Sequence, residues 1–158
     1  MDPFRASSPL PNPPHSLQAN LADQIKLLGY TTPNLQYSTG TLSPISNLQS
    51  PRQASNLQIT LYWQALTSSS NLTRFVQLIG PDGQIYGQND SAPDSGQYPT
   101  SLWQPGEVVV ETVTLPLQPE PPPGDYTLHV GLYQPDSGTR LPLAEGGDHI
   151  EISVTIAR

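Results

Sequence analysis

Apolar and polar residues alternate in short runs along most of this chain, with the period of two that a half-buried β-strand produces. The clearest run is Asn56-Leu-Gln-Ile-Thr-Leu-Tyr-Trp-Gln-Ala65. Leu57, Ile59, Leu61, Trp63 and Ala65 fall on one side of it, and Gln58, Thr60, Tyr62 and Gln64 on the other. That is one buried face and one wet face. Further strands are predicted over 24–32, 73–80, 84–89, 108–117, from Tyr126 onward, over 139–143 and over 150–156. Within the first of these the alternation is imperfect, with Ile25, Leu27 and Gly29 on one face and Leu28 and Tyr30 on the other.

The breaks between the runs carry turn chemistry. Pro81-Asp-Gly83, Pro105-Gly106 and Pro135-Asp-Ser-Gly138 supply the fixed and positive φ angles that tight connections require. Pro122-Pro-Gly-Asp-Tyr126 delivers the chain into a strand where Tyr126, Leu128, Val130 and Leu132 share a face. A tyrosine at such a strand start acts as a corner residue, its hydroxyl returning to nearby backbone. About eight antiparallel strands with turn signals roughly every ten residues predict an all-β, immunoglobulin- or fibronectin-like β-sandwich. No helix is needed.

Residues 1–19 hold prolines at 3, 9, 11, 13 and 14 and read as a proline-rich linker or arm. The sandwich is expected over 20–158. Within it, residues 33–55 form a polar loop that is long for a compact domain, with a weak hairpin around Ser38-Thr-Gly-Thr41.

Composition narrows the function classes. Charged residues make up 12% of the chain, about half the usual ~25%, and Lys26 is the only lysine. The net charge of -7 reflects scarce basic residues. Arg5, Arg52, Arg74, Arg140 and Arg158 are scattered, which leaves no basic stripe for nucleic acid and no patch for an anionic membrane. There is no cysteine, and so no disulfide, thiolate metal site or cysteine nucleophile. No run approaches the ~20 apolar residues needed to span a bilayer, and residues 1–19 lack the apolar core of a signal peptide. A surface of Gln, Ser, Thr, Asn and Pro suits an extracytoplasmic module. The expectation is a fragment whose membrane or export element lies outside these residues.

Catalysis is not expected. A serine-type triad needs a base held by a carboxylate beside an activated nucleophile. His15 lies in the proline arm, His129 on the outward side of its strand and His149 at the start of the last strand. Asp125 and Asp148 are only local neighbours of the latter two, and no nucleophile-elbow motif occurs. Glu107 and Glu111 share a strand face about 13 Å apart, too far for a paired-carboxylate glycosidase, and read as a solvated face. No cofactor is implied. Asn89, Asp90 and Asp94 offer hard oxygen donors of the kind calcium prefers, without the spacing of an EF-hand loop. Asx-rich loops of this kind are more often self-hydrogen-bonded turns.

The sharper binding reading is sugar stacking. Tyr62 and Tyr133 are expected to point away from the core, forming a platform if their strands are neighbours, with Tyr98, Trp103 and Tyr86 extending it. The competing reading is a cross-strand aromatic pair, with Trp103 plugging one end of the sandwich.

The ordered segments "ADQIKLLGY", "LQITLYWQAL", "FVQLIGPDGQIYGQNDSAP", "YPTSLWQPGEVVVETVTLPL" and "PPPGDYTLHVGLYQPDSGTRLPL" cover most of residues 20–157. Together they resemble the C-terminal extracytoplasmic domain of multi-pass membrane glycosyltransferase-like proteins of cyanobacterial and Chloroflexi type. The resemblance implies a non-catalytic accessory sandwich appended to a membrane-anchored envelope protein, and no catalytic residue carries over. Such a domain would present a glycan or lipid-linked sugar or contact another envelope protein. An independent carbohydrate-binding module and a purely structural spacer are the alternatives.

Overall fold

A computed structural model of the chain describes residues 13–38, 53–93, 96–119 and 121–156. Among these residues nine strands make up two antiparallel sheets, and the expected β-sandwich is the fold. The strands are β1 (His15–Leu21), β2 (Ile25–Tyr30), β3 (Asn34–Ser38), β4 (Gln53–Ala65), β5 (Thr73–Ile79), β6 (Ile85–Ser91), β7 (Val108–Pro116), β8 (Gly124–Tyr133) and β9 (Ile150–Ile156). Sheet A has the order β1-β2-β4-β3 with β7 along the other flank of β4, and sheet B the order β6-β5-β8-β9. A 3-10 turn spans Thr100–Leu102.

β4 organises sheet A because it is long enough to serve three partners. Its second half pairs with β2, its first half with β3, and residues 56–64 run in unbroken register with β7. Its alternation is read correctly from the sequence: Leu57, Ile59, Leu61, Trp63 and Ala65 are all buried. They meet Val76 and Leu78 of β5, Tyr126, Leu128, Val130 and Leu132 of β8, and the inward residues of β9 in one core. The corner at Tyr126 forms as expected, its hydroxyl donating to the carbonyl oxygen of Pro122 at 2.5 Å. At β2, Gly29 is required by close approach, since a Cβ there would strike the carbonyl of His15 and the ring of Pro13.

Three sequence readings change. β1 lies partly within residues 15–19, assigned above to the linker, and pairs with β2. β3 occupies 34–38 of the supposed loop and pairs with β4; the rest of the hairpin suggested there falls in 39–52, outside the described residues. Residues 139–143 form no strand. They leave sheet B through a bridge between Tyr133 and Arg140 and reach sheet A through one between Leu21 and Leu143. Backbone bonds from Ala22 N to Pro142 O and from Ala144 N to Asn20 O complete the stitch between the sheets.

A fourth correction concerns Glu111, which was expected on a solvated face. It is only 2% exposed and points between the sheets. Arg74 of β5 grips it with two bonds, Nε to Oε2 and Nη2 to Oε1, both 3.1 Å. Trp63 Nε1–H donates to Oε2 at 2.8 Å. Arg74 continues to the backbone and side-chain oxygens of Asn89, whose own amide donates to Thr114 O. Glu107, also read as solvated, is buried, accepting from Tyr98 Oη and from Gln104 N. A buried carboxylate is tolerable only when bonded in this way, and among the described residues no buried side-chain nitrogen or oxygen lacks a partner.

Candidate functional site on the outer face of sheet B

The outer face of sheet B carries a cluster of ionisable and aromatic side chains. Strand alternation puts Phe75 and Gln77 of β5, Asp90 of β6, His129, Gly131 and Tyr133 of β8, and Glu151 of β9 on this face. The register sets Gln77, His129 and Glu151 side by side across three strands. Phe75 is opposite Gly131, where a Cβ would come within 2.6 Å of its ring. The missing side chain lets the ring lie flat. The Arg140 guanidinium covers that ring at 4.2 Å from its centroid, so Phe75 is buried although it faces outward. Tyr133 leans on the same ring with centroids 6.1 Å apart, and its hydroxyl donates to Asp90 Oδ2 at 3.1 Å.

Beside this aromatic patch the rings of His129 and His149 stack, with centroids 4.0 Å apart and planes 21° from parallel. His149 Nδ1 is 2.9 Å from Asp148 Oδ1, and His149 Nε2 is 3.1 Å from Glu151 Oε2. His129 Nε2 lies 3.8 Å from the same oxygen. Arg140 Nη1 closes the cluster at 3.4 Å from Asp148. Burial opposes charge on both imidazoles. At His129 burial, reinforced by the neighbouring His149, prevails and lowers the pKa. At His149 burial is outweighed by the bonds to Asp148 and Glu151, and the pKa is raised. The bond from His149 holds the Asp148 carboxyl below its ordinary range. A cleft of about 360 Å³, lined by Leu17, Ala19, Leu143, Glu145, His149 and Glu151 among others, opens next to the cluster between the edges of the two sheets.

The residues singled out for sugar stacking are not brought together. Tyr62 is on the outer face of sheet A, and Tyr133 is on the outer face of sheet B. Their strands are not neighbours, and no shared platform forms. Trp103 is buried, with Nε1 donating to Tyr98 O at 2.9 Å, so its ring plugs the sandwich instead of offering a face to solvent. Tyr98 packs against it with centroids 6.4 Å apart. Of the four, Tyr133 alone belongs to the charged face. Asn89 and Asp90 are already engaged, by Arg74 and Tyr133 respectively, and Asp94 falls outside the described residues.

The sequence reading weighed His149 only as a triad member beside Asp148 and passed over Glu151. Their signal was the alternation His149-Ile-Glu151, which puts both side chains on one face of a strand. It became informative only once β9 was paired with β8 in the register that puts His129 opposite Glu151.

No protein-family model matches the chain, and no curated protein matches it. Among solved structures, the C-terminal domain of wzt superposes with a TM-score of 0.51 at 16% identity, over 95% of this chain and 84% of that one. A β-glucuronidase from glycoside hydrolase family 2 gives a TM-score of 0.45 at 13% identity, covering 78% of this chain but only 11% of the glucuronidase. The putative ApaA protein from Bordetella pertussis gives 0.40 at 16% identity, over 91% of this chain and 93% of that chain. At these identities the likeness concerns the β-sandwich alone.

Proposed function

We propose that this chain is a non-catalytic accessory domain of an extracytoplasmic, membrane-anchored protein of the glycosyltransferase-like type, presenting a glycan or lipid-linked sugar on the outer face of sheet B. The observation that carries the reading is the concentration of charge on that face in a chain with only 12% charged residues. Asp90 bonds to the half-buried Tyr133, Arg140 covers the Phe75 ring beside it, and His129, Asp148, His149 and Glu151 form the adjoining cluster. A sugar needs both parts: an aromatic surface for its C–H face, and carboxylate, imidazole and amide groups for its hydroxyls. A tyrosine supplies such a surface at a low entropic cost. The wzt domain, by its description a C-terminal one, is consistent with a sandwich of this kind serving as an appendage.

The test is a glycan-binding screen on the folded domain, followed by affinity measurements on Tyr133→Ala and Tyr62→Ala. Tyr133→Ala is expected to weaken binding at least about tenfold, equivalent to ~1.4 kcal/mol, while Tyr62→Ala keeps the affinity of the parent. Undiminished binding by Tyr133→Ala, or the absence of any glycan ligand, would overturn the proposal.

A further inference from the structure

Two stacked imidazoles facing one carboxylate present a problem of charge. His149 lies between two carboxylates, with Nδ1 at 2.9 Å from Asp148 and Nε2 at 3.1 Å from Glu151. A neutral imidazole carries one N–H. If Nδ1–H donates to Asp148, the Nε2 lone pair confronts the oxygen of Glu151, and the arrangement demands a positive charge between them. A proton can supply it, and so can a metal ion.

The geometry points to the second: we propose that His129, His149 and Glu151 form a binding site for a divalent transition-metal ion of the zinc class, with Asp148 orienting His149. One donor atom from each of the three residues lies within 4.8 Å of the others. Metal–ligand bonds of about 2.0–2.1 Å in a tetrahedron set donor atoms ~3.3 Å apart. The two Nε2-to-Oε2 separations, 3.1 and 3.8 Å, bracket that value.

The Asp148–His149 bond has the form in which a ligating histidine passes its remaining N–H to a carboxylate, which fixes the tautomer and leaves Nε2 to the metal. Arg140 and Asp148 bond to each other at 3.4 Å, which tempers the cation's repulsion of a bound ion. The stack must loosen, because nearly parallel rings direct their lone pairs side by side. Rotation about the Cβ–Cγ bond, a broad torsion for histidine, converges them. Two imidazoles and one carboxylate suit zinc, nickel or copper better than the oxygen-seeking calcium and magnesium. The neighbouring cleft leaves room for water or a further ligand at an open position. This assignment stands independently of the glycan reading.

The test is calorimetric titration of Zn2+ into the metal-stripped domain, freed of any affinity-tag histidines, together with the visible spectrum of its Co2+ form. One Zn2+ per chain is expected, with affinity reduced at least tenfold in His149→Ala, His129→Ala and Glu151→Gln. Asp148→Asn should lower it about 10–100-fold, and His15→Ala, which removes a ring that stacks on Tyr30 and bonds to Thr32, should leave it unchanged. A tetrahedral Co2+ spectrum on the parent chain supports the site without requiring any variant to fold. The proposal is overturned if no stoichiometric Zn2+ binds, if His149→Ala and Asp148→Asn both bind as the parent does, or if Ca2+ competes on equal terms.

Discussion

The two outer faces of this sandwich are built from the same strand geometry and different chemistry. On sheet A, neutral side chains satisfy one another across the ladder. Gln58 Nε2 donates to Thr114 Oγ1 at 3.3 Å, the hydroxyls of Thr60 and Thr112 meet at 2.9 Å, and Gln64 Nε2 donates to Gly106 O at 3.3 Å. These are directly opposed cross-strand pairs or short reaches to backbone, and they hold the sheet as such pairs do. On sheet B, an arginine-covered pair of phenylalanine and tyrosine rings adjoins a cluster of stacked histidines and carboxylates. Short neutral side chains that bond to each other leave little for a ligand to take up. The carboxylates, imidazoles and guanidinium of sheet B also bond to one another, but the carboxylates and the guanidinium have more donor or acceptor positions than these bonds use. The difference separates a surface that maintains the sheet from one equipped for recognition.

Four substitutions sharpen or break that contrast. The largest effect belongs to the link between the sheets. Glu111→Ala leaves the Arg74 guanidinium buried without its bidentate partner and should cost about 3–5 kcal/mol, read as a fall in the urea midpoint. A loss well below 1 kcal/mol would mean that Arg74 reaches solvent and that the network does not tie the faces together. Next, Gly131→Ala drives a methyl group into the Phe75 ring. A cost of about 1–3 kcal/mol, with Tyr133 and Arg140 displaced in a structure of the variant and sheet A unchanged, is expected. Thr60→Ala removes one rung from sheet A and should cost about 0.2–1 kcal/mol without altering ligand binding. His129→Ala should change stability by no more than about 0.5 kcal/mol while weakening whatever sheet B binds. If the last two exchange roles, with the threonine affecting binding and the histidine affecting stability, the division between the faces is wrong.

What the sequence disclosed follows from which interactions are local. β4, β7 and β8 announce themselves because each buries one side and wets the other, and the Pro-Asp-Gly and Pro-Pro-Gly turns are chemical statements about φ. β1 and β3 are harder. β1 has only Leu17, Ala19 and Leu21 as apolar residues, and β3 only Leu35 and Tyr37, and each exists because a neighbouring strand offers an edge. The opposite error occurs at 139–143, whose pattern suits a strand but whose path crosses from one sheet to the other. Charge misled at Glu111. A lone glutamate amid valines reads as solvent-facing, and only the three-dimensional arrival of Arg74 and Trp63 explains it inside. At the candidate site, alternation correctly turned Tyr62, His129 and Tyr133 outward, but it cannot say onto which sheet. That depends on pairings between residues far apart in sequence, as with His129 and Glu151.

Whether sheet B carries the recognition surface is decided by amide chemical-shift mapping by NMR during titration with the tightest glycan from the screen. The account expects shifts concentrated at Phe75, Gln77, Asp90, His129, Tyr133, His149 and Glu151, with Gln58, Thr60, Tyr62, Thr112 and Thr114 still. Shifts centred on the second group, or no saturable shifts at all, would contradict it.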